Sequence, residues 1–379
     1  MKDKINRSLV IVLVAITLTA LEGISYIGQR ILVGKGIFYQ PLSEDSIREA
    51  YRYKPDPRLG WPSPERFGTG DFDHSGSRVI PSFPDPEQES CVSTYGDSYT
   101  WGTDVTAEFA WSNVLSKMLD CRVSNFGVGG YGTDQAYLRF KYNDRDKAKI
   151  VLLGYTSENL VRNVIQFYDF LYPVLAFSLK PRFILENGAL KLVAFPQLSA
   201  EEYRTMTLDP GKFLRYDYLL PGGPAGTVRA GFPFTLSLLK SLGNYRIQAQ
   251  LRGESFWADF YRAEHPSEAL KITTLIMQSF DRDAKAAGKT LIVIMFPWTN
   301  DLREYQKHRS WIYQPLIDDL RSKGIDVFNI GDGMAKHLGK RSPCDLNFGC
   351  VASHLNQEGN EVTARLITDY LKDRNLFPR

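Results

Sequence analysis

The 379-residue chain has no Cys-x-x-Cys pair, no His-Glu-x-x-His run and no Gly-x-x-x-x-Gly-Lys-Ser/Thr loop. Those absences remove the short signatures of a redox dithiol, a zinc-hydrolase helix and a nucleotide phosphate loop, so neither cofactor nor metal is expected. An excess of charge of one sign is lacking too. With 46 basic and 43 acidic residues spread evenly and a formal net charge of +3, there is no basic stripe for nucleic acid. Cysteine is scarce, with Cys91, Cys121, Cys344 and Cys350 only. Cys91 and Cys121 begin two successive expected strands, and Cys344 and Cys350 bracket a short loop. Two disulfides, Cys91 with Cys121 and Cys344 with Cys350, are therefore expected in an oxidising compartment, against the alternative of four unpaired buried thiols.

What is present begins with an apolar run over residues 8–21, preceded by Lys2, Lys4 and Arg7 and resumed after Glu22 through Ile24, Tyr26, Ile27, Ile31 and Leu32. Residues 1–32 read as a membrane helix of about twenty residues or as a signal segment; Leu18-Thr19-Ala20 is a poor cleavage site, which favours an uncleaved anchor. Either reading places the remainder outside the cytoplasm. Residues 33–90, rich in Pro, Gly, Asp and Arg, read as an extended segment wrapping the globular domain, with Gly60-Trp61-Pro62 as a packing point.

Residues 91–375 then carry the rhythm of a parallel α/β domain. Strands are expected at 91–95, 122–126, 150–154, 290–296 and 325–330, with helices at 108–119, from Thr133, at 269–287, at 311–323 and after His354. About 165–265 breaks the rhythm as an insertion. It holds a hairpin at Phe183 to Val193 turned by Asn187-Gly188, and aromatics such as Phe167, Phe170, Trp257 and Tyr261 that read as a small secondary core rather than a sugar-stacking platform.

The first strand ends abruptly in Gly96-Asp97-Ser98, delivering a hydroxyl to the carboxyl end of the sheet. A Gly-Asp-Ser triplet by itself is no more than a turn after a strand. Three later blocks change its meaning. Asn125-Phe-Gly-Val-Gly-Gly130 follows the second strand, Gly154-Tyr-Thr-Ser-Glu-Asn159 the third, and His354-Leu-Asn with Gly359 stands near the C-terminus.

In this order the four blocks resemble the SGNH (GDSL-type) hydrolase family over roughly residues 88–175 and 285–375. The resemblance implies a flavodoxin-like three-layer α/β/α sandwich with a five-stranded parallel sheet. It also implies Ser98 as nucleophile, His354 as base, and oxyanion donors from the backbone N–H of Ser98 and Gly130 and the side-chain amide of Asn159. The third block departs from the family's Gly-x-Asn-Asp, which leaves Asn163 as a second choice of donor and a helix N-cap as the plain reading of Asn159. His337 is the positional rival of His354. The family's acid stands three residues before the histidine, where this chain has Val351. A Ser98–His354 dyad held by a backbone carbonyl is expected, with Asp345 the candidate third acid. Gly127 to Gly132 also matches the dinucleotide pattern Gly-x-Gly-x-x-Gly, yet it follows the second strand and no ribose-binding acid ends the next.

The expected activity is that of a membrane-anchored extracytoplasmic carboxyl-ester enzyme, an esterase or O-acetyltransferase. Its expected partners are an acylated carbohydrate or another small ester, with envelope or exopolysaccharide sugars entering by analogy. The alternative is a catalytically inactive relative that binds polysaccharide or acts as a scaffold.

Overall fold

A computed structural model describes residues 7–33, 37–52, 55–62, 66–172, 179–350 and 353–377. The chain forms two compact units: Met1–Arg52, Phe167–Ala176 and Pro196–Phe256 make the first, and Tyr53–Gln166, Phe177–Phe195 and Trp257–Arg379 the second.

In the first unit, α1 (Arg7–Val33) runs unbroken through Glu22 and the glycines around it. It is long and apolar enough to cross a membrane, and nearly all its apolar side chains are exposed. Helices Glu44–Arg52, Ala200–Leu208, Phe234–Leu242 and Tyr245–Arg252 accompany it, with a short parallel pair of Phe38–Tyr39 and Val228–Arg229. The first of these lies where the prolines pointed to no regular element. Between Pro41 and Pro55 there is none, and the Ser43 hydroxyl accepts the Ser46 N–H while Glu44 and Asp45 fill the first turn, so a helix starts there. Phe167, Phe170, Tyr203 and Met206 are buried here, whereas Trp257 and Tyr261, expected in the same small core, belong to the second unit and bond to Ser157 there.

The second unit holds the sheet: β1 (Ser90–Tyr95), β2 (Arg122–Asn125), β3 (Ile150–Thr156), β4 (Thr290–Phe296) and β5 (Asp326–Asn329). All pairings are parallel and the order is β2-β1-β3-β4-β5. This is the flavodoxin-like order expected, and its switch point lies between β1 and β3. β3 is buried along its whole length because it lies between strands on both edges and helices on both faces, which is why its sequence is apolar without alternation. Helices Trp111–Leu119, Ile330–Leu338 and α4 (Gln357–Asp373) pack in one layer, and Thr133–Lys141, Ala269–Ala286 and Gln314–Ser322 in the other. The turn that begins at Ser98, α2 (Ser98–Trp101), and α3 (Asn159–Arg162) are four residues each.

The hairpin Arg182–Glu186 and Ala189–Val193 forms with Asn187 and Gly188 both at positive φ, 52° and 80°. Both expected disulfides are formed. Trp61 sits edge-on to Tyr131, and its indole N–H donates to the Gly129 carbonyl at 2.9 Å, so the Gly60-Trp61-Pro62 point packs on the second glycine block.

Candidate active site

Ser98 opens α2 directly at the end of β1, with Asp97 as N-cap. Gly96, Gly127 and Gly154, from three adjacent strand ends, all face this turn. A Cβ on Gly96 or Gly154 would drive into the Thr100 hydroxyl, and one on Gly127 would stand 2.6 Å from the Trp101 nitrogen. The turn is thus lowered onto the sheet edge as no residue with a side chain would allow.

Asp97 is 1% exposed and fully engaged. One oxygen accepts the Tyr99 N–H at 2.9 Å; the other accepts the Thr156 hydroxyl at 2.7 Å and Nη1 of Arg162 at 3.3 Å. The same Nη1 donates to the Tyr131 carbonyl and to the side-chain oxygen of Asn159 at 3.2 Å, while Nη2 donates to Glu158 at 2.8 Å. Arg162 therefore neutralises two buried acids and fixes the amide of Asn159. With its oxygen accepting from Arg162, the Asn159 NH2 group is turned away from that cation. Asn163 is arranged otherwise: its oxygen accepts the Asp134 N–H at 3.1 Å and its NH2 donates to Thr273 at 2.8 Å, so both ends serve the core. Asn125, the first residue of its block, donates to the Thr100 carbonyl at 2.8 Å and accepts the Gly127 N–H at 3.0 Å, tying α2 to the glycine loop. Gly130, at φ 81°, ends that loop.

His354 stands in the loop before α4. Its carbonyl accepts the Phe348 N–H at 3.0 Å, Asn347 bridges Leu355, and Cys344–Cys350 closes the same loop. The Tyr99 hydroxyl donates to the Ser353 carbonyl at 3.0 Å and the Tyr99 ring lies 5.4 Å from that of His354, which brings the imidazole beside the residue next to Ser98.

The partner of the imidazole differs from the expectation. Nδ1 of His354 is 2.8 Å from Oδ2 of Asp104, where a backbone carbonyl was expected. Asp345 instead faces Arg341 at 3.2 Å, drawn there by a guanidinium that also grips Glu358, and Val351 lies outside the described residues. His337 is bound to Glu358 at 2.9 Å on the surface, and Glu358 is held at about 2 by hydrogen bonds from Arg341 first and then His337.

Asp104 adopts positive φ, 73°, a conformation an aspartate tolerates better than most side chains. Its loop is pinned by Arg78, a buried guanidinium donating to the Trp101, Gly102 and Val105 carbonyls, the last two at 2.6 Å. Burial lowers this guanidinium to about 10, so it stays cationic at neutral pH.

Asp104, Arg78 and Arg162 were not found by reading the sequence. For Arg162 there was a signal, since two acids at strand ends, Asp97 and Glu158, require a buried cation and Arg162 lies one helical turn after Glu158. Beneath the site Asp301, 2% exposed, accepts the Trp298 N–H at 3.0 Å, and burial pushes its carboxyl up to about 7. Among the described residues no cluster of His, Cys, Asp and Glu has the arrangement of a metal site.

A hydroxyl on a tight strand-end turn, an imidazole packed on the residue after it and held by a carboxylate, and an amide with a fixed orientation are parts that acyl transfer through serine uses. No family model matches the chain and no curated protein matches it. Several solved structures do, at low identity. A lipolytic protein of the G-D-S-L family from Desulfitobacterium hafniense DCB-2 is 12% identical, with 73% of this chain and 97% of that one covered at a TM-score of 0.35. A catalytic mutant of an acetylxylan esterase from Geobacillus stearothermophilus is 10% identical, over 75% of this chain and 94% of that one, at 0.40. A psychrotrophic esterase from a Pseudoalteromonas species is 10% identical, over 74% and 96%, at 0.33.

Proposed function

We propose that the chain is a membrane-anchored, extracytoplasmic SGNH-type ester enzyme whose catalytic group is Ser98–His354–Asp104. The reading rests on one observation, the 2.8 Å contact between Nδ1 of His354 and Asp104 in a loop held against α2. A carboxylate there fixes the tautomer that leaves Nε2 free to act as base, and it stabilises the imidazolium formed.

The Ser98 oxygen attacks the acyl carbon while Nε2 of His354 takes its proton. The oxyanion is met by the N–H groups of Ser98 and Gly130 and by the NH2 of Asn159. Collapse expels the alcohol, which leaves with the proton from His354, and the acyl group stays on Ser98. Water then gives hydrolysis and a second hydroxyl gives transfer, since both enter against the same acyl-serine.

Acyl groups on envelope or exopolysaccharide sugars are the proposed substrates. The Asp104 side chain is 47% exposed and that of His354 22%, an open setting that suits an ester carried on a polymer. Placement outside the cytoplasm is supported by Lys2, Lys4 and Arg7 ahead of α1 and by the two disulfides.

The test is fluorophosphonate labelling of the full chain together with turnover of a small acetyl ester. Labelling at Ser98, with both signals lost in Ser98→Ala, is expected. A folded wild-type chain that neither labels nor turns over any acetyl ester would make this a binding relative without catalysis.

A further inference from the structure

Three of the polar side chains in the outer half of α1 are used on one partner. Glu22, Ser25 and Gln29 fall on one face of the helix at spacings of three and four. Glu22 accepts the N–H groups of Phe234 at 2.6 Å and Thr235 at 3.2 Å. The Ser25 hydroxyl pairs with that of Thr235 at 2.8 Å, and Gln29 donates to the Phe234 carbonyl at 3.2 Å. Ser25 and Gln29 are buried in an otherwise exposed apolar helix. These bonds satisfy the start of the Phe234–Leu242 helix, where two of the orphan N–H groups of a helix would otherwise need water.

The contacts gather at the start of the Phe234–Leu242 helix, where Phe234 meets both Glu22 and Gln29. Glu22 meets Phe234 and Thr235, and a Cβ on Gly28 would touch Leu238 at 3.6 Å. The other face of the Phe234–Leu242 helix is uncovered and, apart from the exposed Lys240, apolar: Leu236 is 48% exposed, Leu239 60% and Leu242 62%, with Phe232 at 77% just ahead of it.

Depth follows from the helix rise. If Arg7 marks the inner boundary, a hydrocarbon core of about 30 Å at 1.5 Å per residue ends near Ile27, with Glu22 about 7.5 Å below that outer boundary and Gln29 about 3 Å above it. Interfacial helices bury their apolar face by about 5–10 Å. A helix start at that depth is tolerated only where its N–H groups are satisfied internally, which is what Glu22 does.

We infer that the Phe234–Leu242 helix is a second membrane element, an interfacial helix lying at the outer headgroup boundary against α1, with lipid covering Phe232, Leu236, Leu239 and Leu242. The inference rests on the anchor reading of α1 and adds that the insertion, far away in sequence, is fastened to the bilayer by its own leucines.

The test places a nitroxide label on the full chain at Leu239→Cys or Phe232→Cys, with Leu13→Cys and the exposed Lys336→Cys as references, in vesicles of phosphatidylcholine with some phosphatidylglycerol. Oxygen and a water-soluble nickel chelate report where each label lies. The labels at 232 and 239 are expected to lose nickel accessibility and gain oxygen accessibility, as the label at 13 does. If 13 is in lipid while 232 and 239 stay as nickel-accessible as 336, the inference is overturned and the anchor stands. If 13 is in water as well, both fall. Spin–spin broadening at 239 that persists on dilution of the protein in lipid would put a second copy on this face and also overturn it.

Discussion

Asp104 and His354 lie 250 residues apart in the chain and meet at 2.8 Å. The carboxylate comes from the loop that follows α2, so Asp104 and Ser98 share one short segment while His354 arrives from the other end of the domain.

This arrangement predicts an asymmetry between two aspartates. Asp104→Asn should lower kcat for an acetyl ester by up to roughly ten-thousandfold, as loss of a triad acid does, while Asp345→Asn should stay within about tenfold. Steady-state rates of both variants, with circular dichroism to verify the fold, decide it. A near-normal Asp104→Asn would restore the dyad.

Two neighbouring asparagines should separate in the same way. Asn159→Ala is expected to cost about a hundredfold to a thousandfold in kcat with little change in KM, the usual effect of removing one oxyanion donor. Asn163→Ala, which strips a buried amide from Asp134 and Thr273, should instead lower the urea midpoint and leave the rate of the folded enzyme within tenfold. Urea titrations and rates on the same preparations separate the two roles.

Arg78→Ala should behave as the loss of a positioning residue. Without the guanidinium, three carbonyls of the Trp101–Val105 loop lose their donor and Asp104 is less firmly aimed. A fall in kcat with the fold retained is expected. The discriminating readout is Asp104→Asn in the Arg78→Ala background: the second substitution should cost much less than it does alone.

Stability should depend on pH through Asp301. Burial raises its folded carboxyl to about 7, above the usual value of about 3.9 for an aspartate. Between those values the folded chain holds the proton more tightly than the unfolded chain. This contribution is therefore fully present below about pH 4, is lost as pH rises to about 7, and is flat beyond; three pK units correspond to about 4 kcal/mol. Asp301→Asn should remove this slope, read as the wild-type minus variant difference in urea midpoint across pH 5 to 8. A difference that does not change with pH would show that the carboxyl ionises normally.

Much of the fold was legible because burial on both faces leaves a plain mark. The apolar Ile150 to Leu153 could only be a central strand, and Gly96-Asp97-Ser98 ended β1 where a turn had to begin. The helix Ile330–Leu338 was hidden by its glycines, which are there for packing: a Cβ on Gly331 would meet the Trp311 ring at 2.7 Å. Ser98, Asn159 and His354 stand out in the sequence because they sit in blocks. Asp104 does not, because nothing local to it indicates an imidazole 250 positions later. Arg78 was concealed in the same way, standing among the prolines of a segment read as wrapping while its guanidinium reaches the loop after α2.

Gly96, Gly127 and Gly154 crowd around Thr100 so closely that these four positions behave as one site with a fixed volume. Enlarging any of them displaces the turn that carries Ser98, and shrinking Thr100 would open a gap under it. Variation here has to be paired: a methyl gained at Gly154 becomes acceptable only when Thr100 gives up its branch. A library randomised at single positions would report all four as invariant and would miss that they constrain one another.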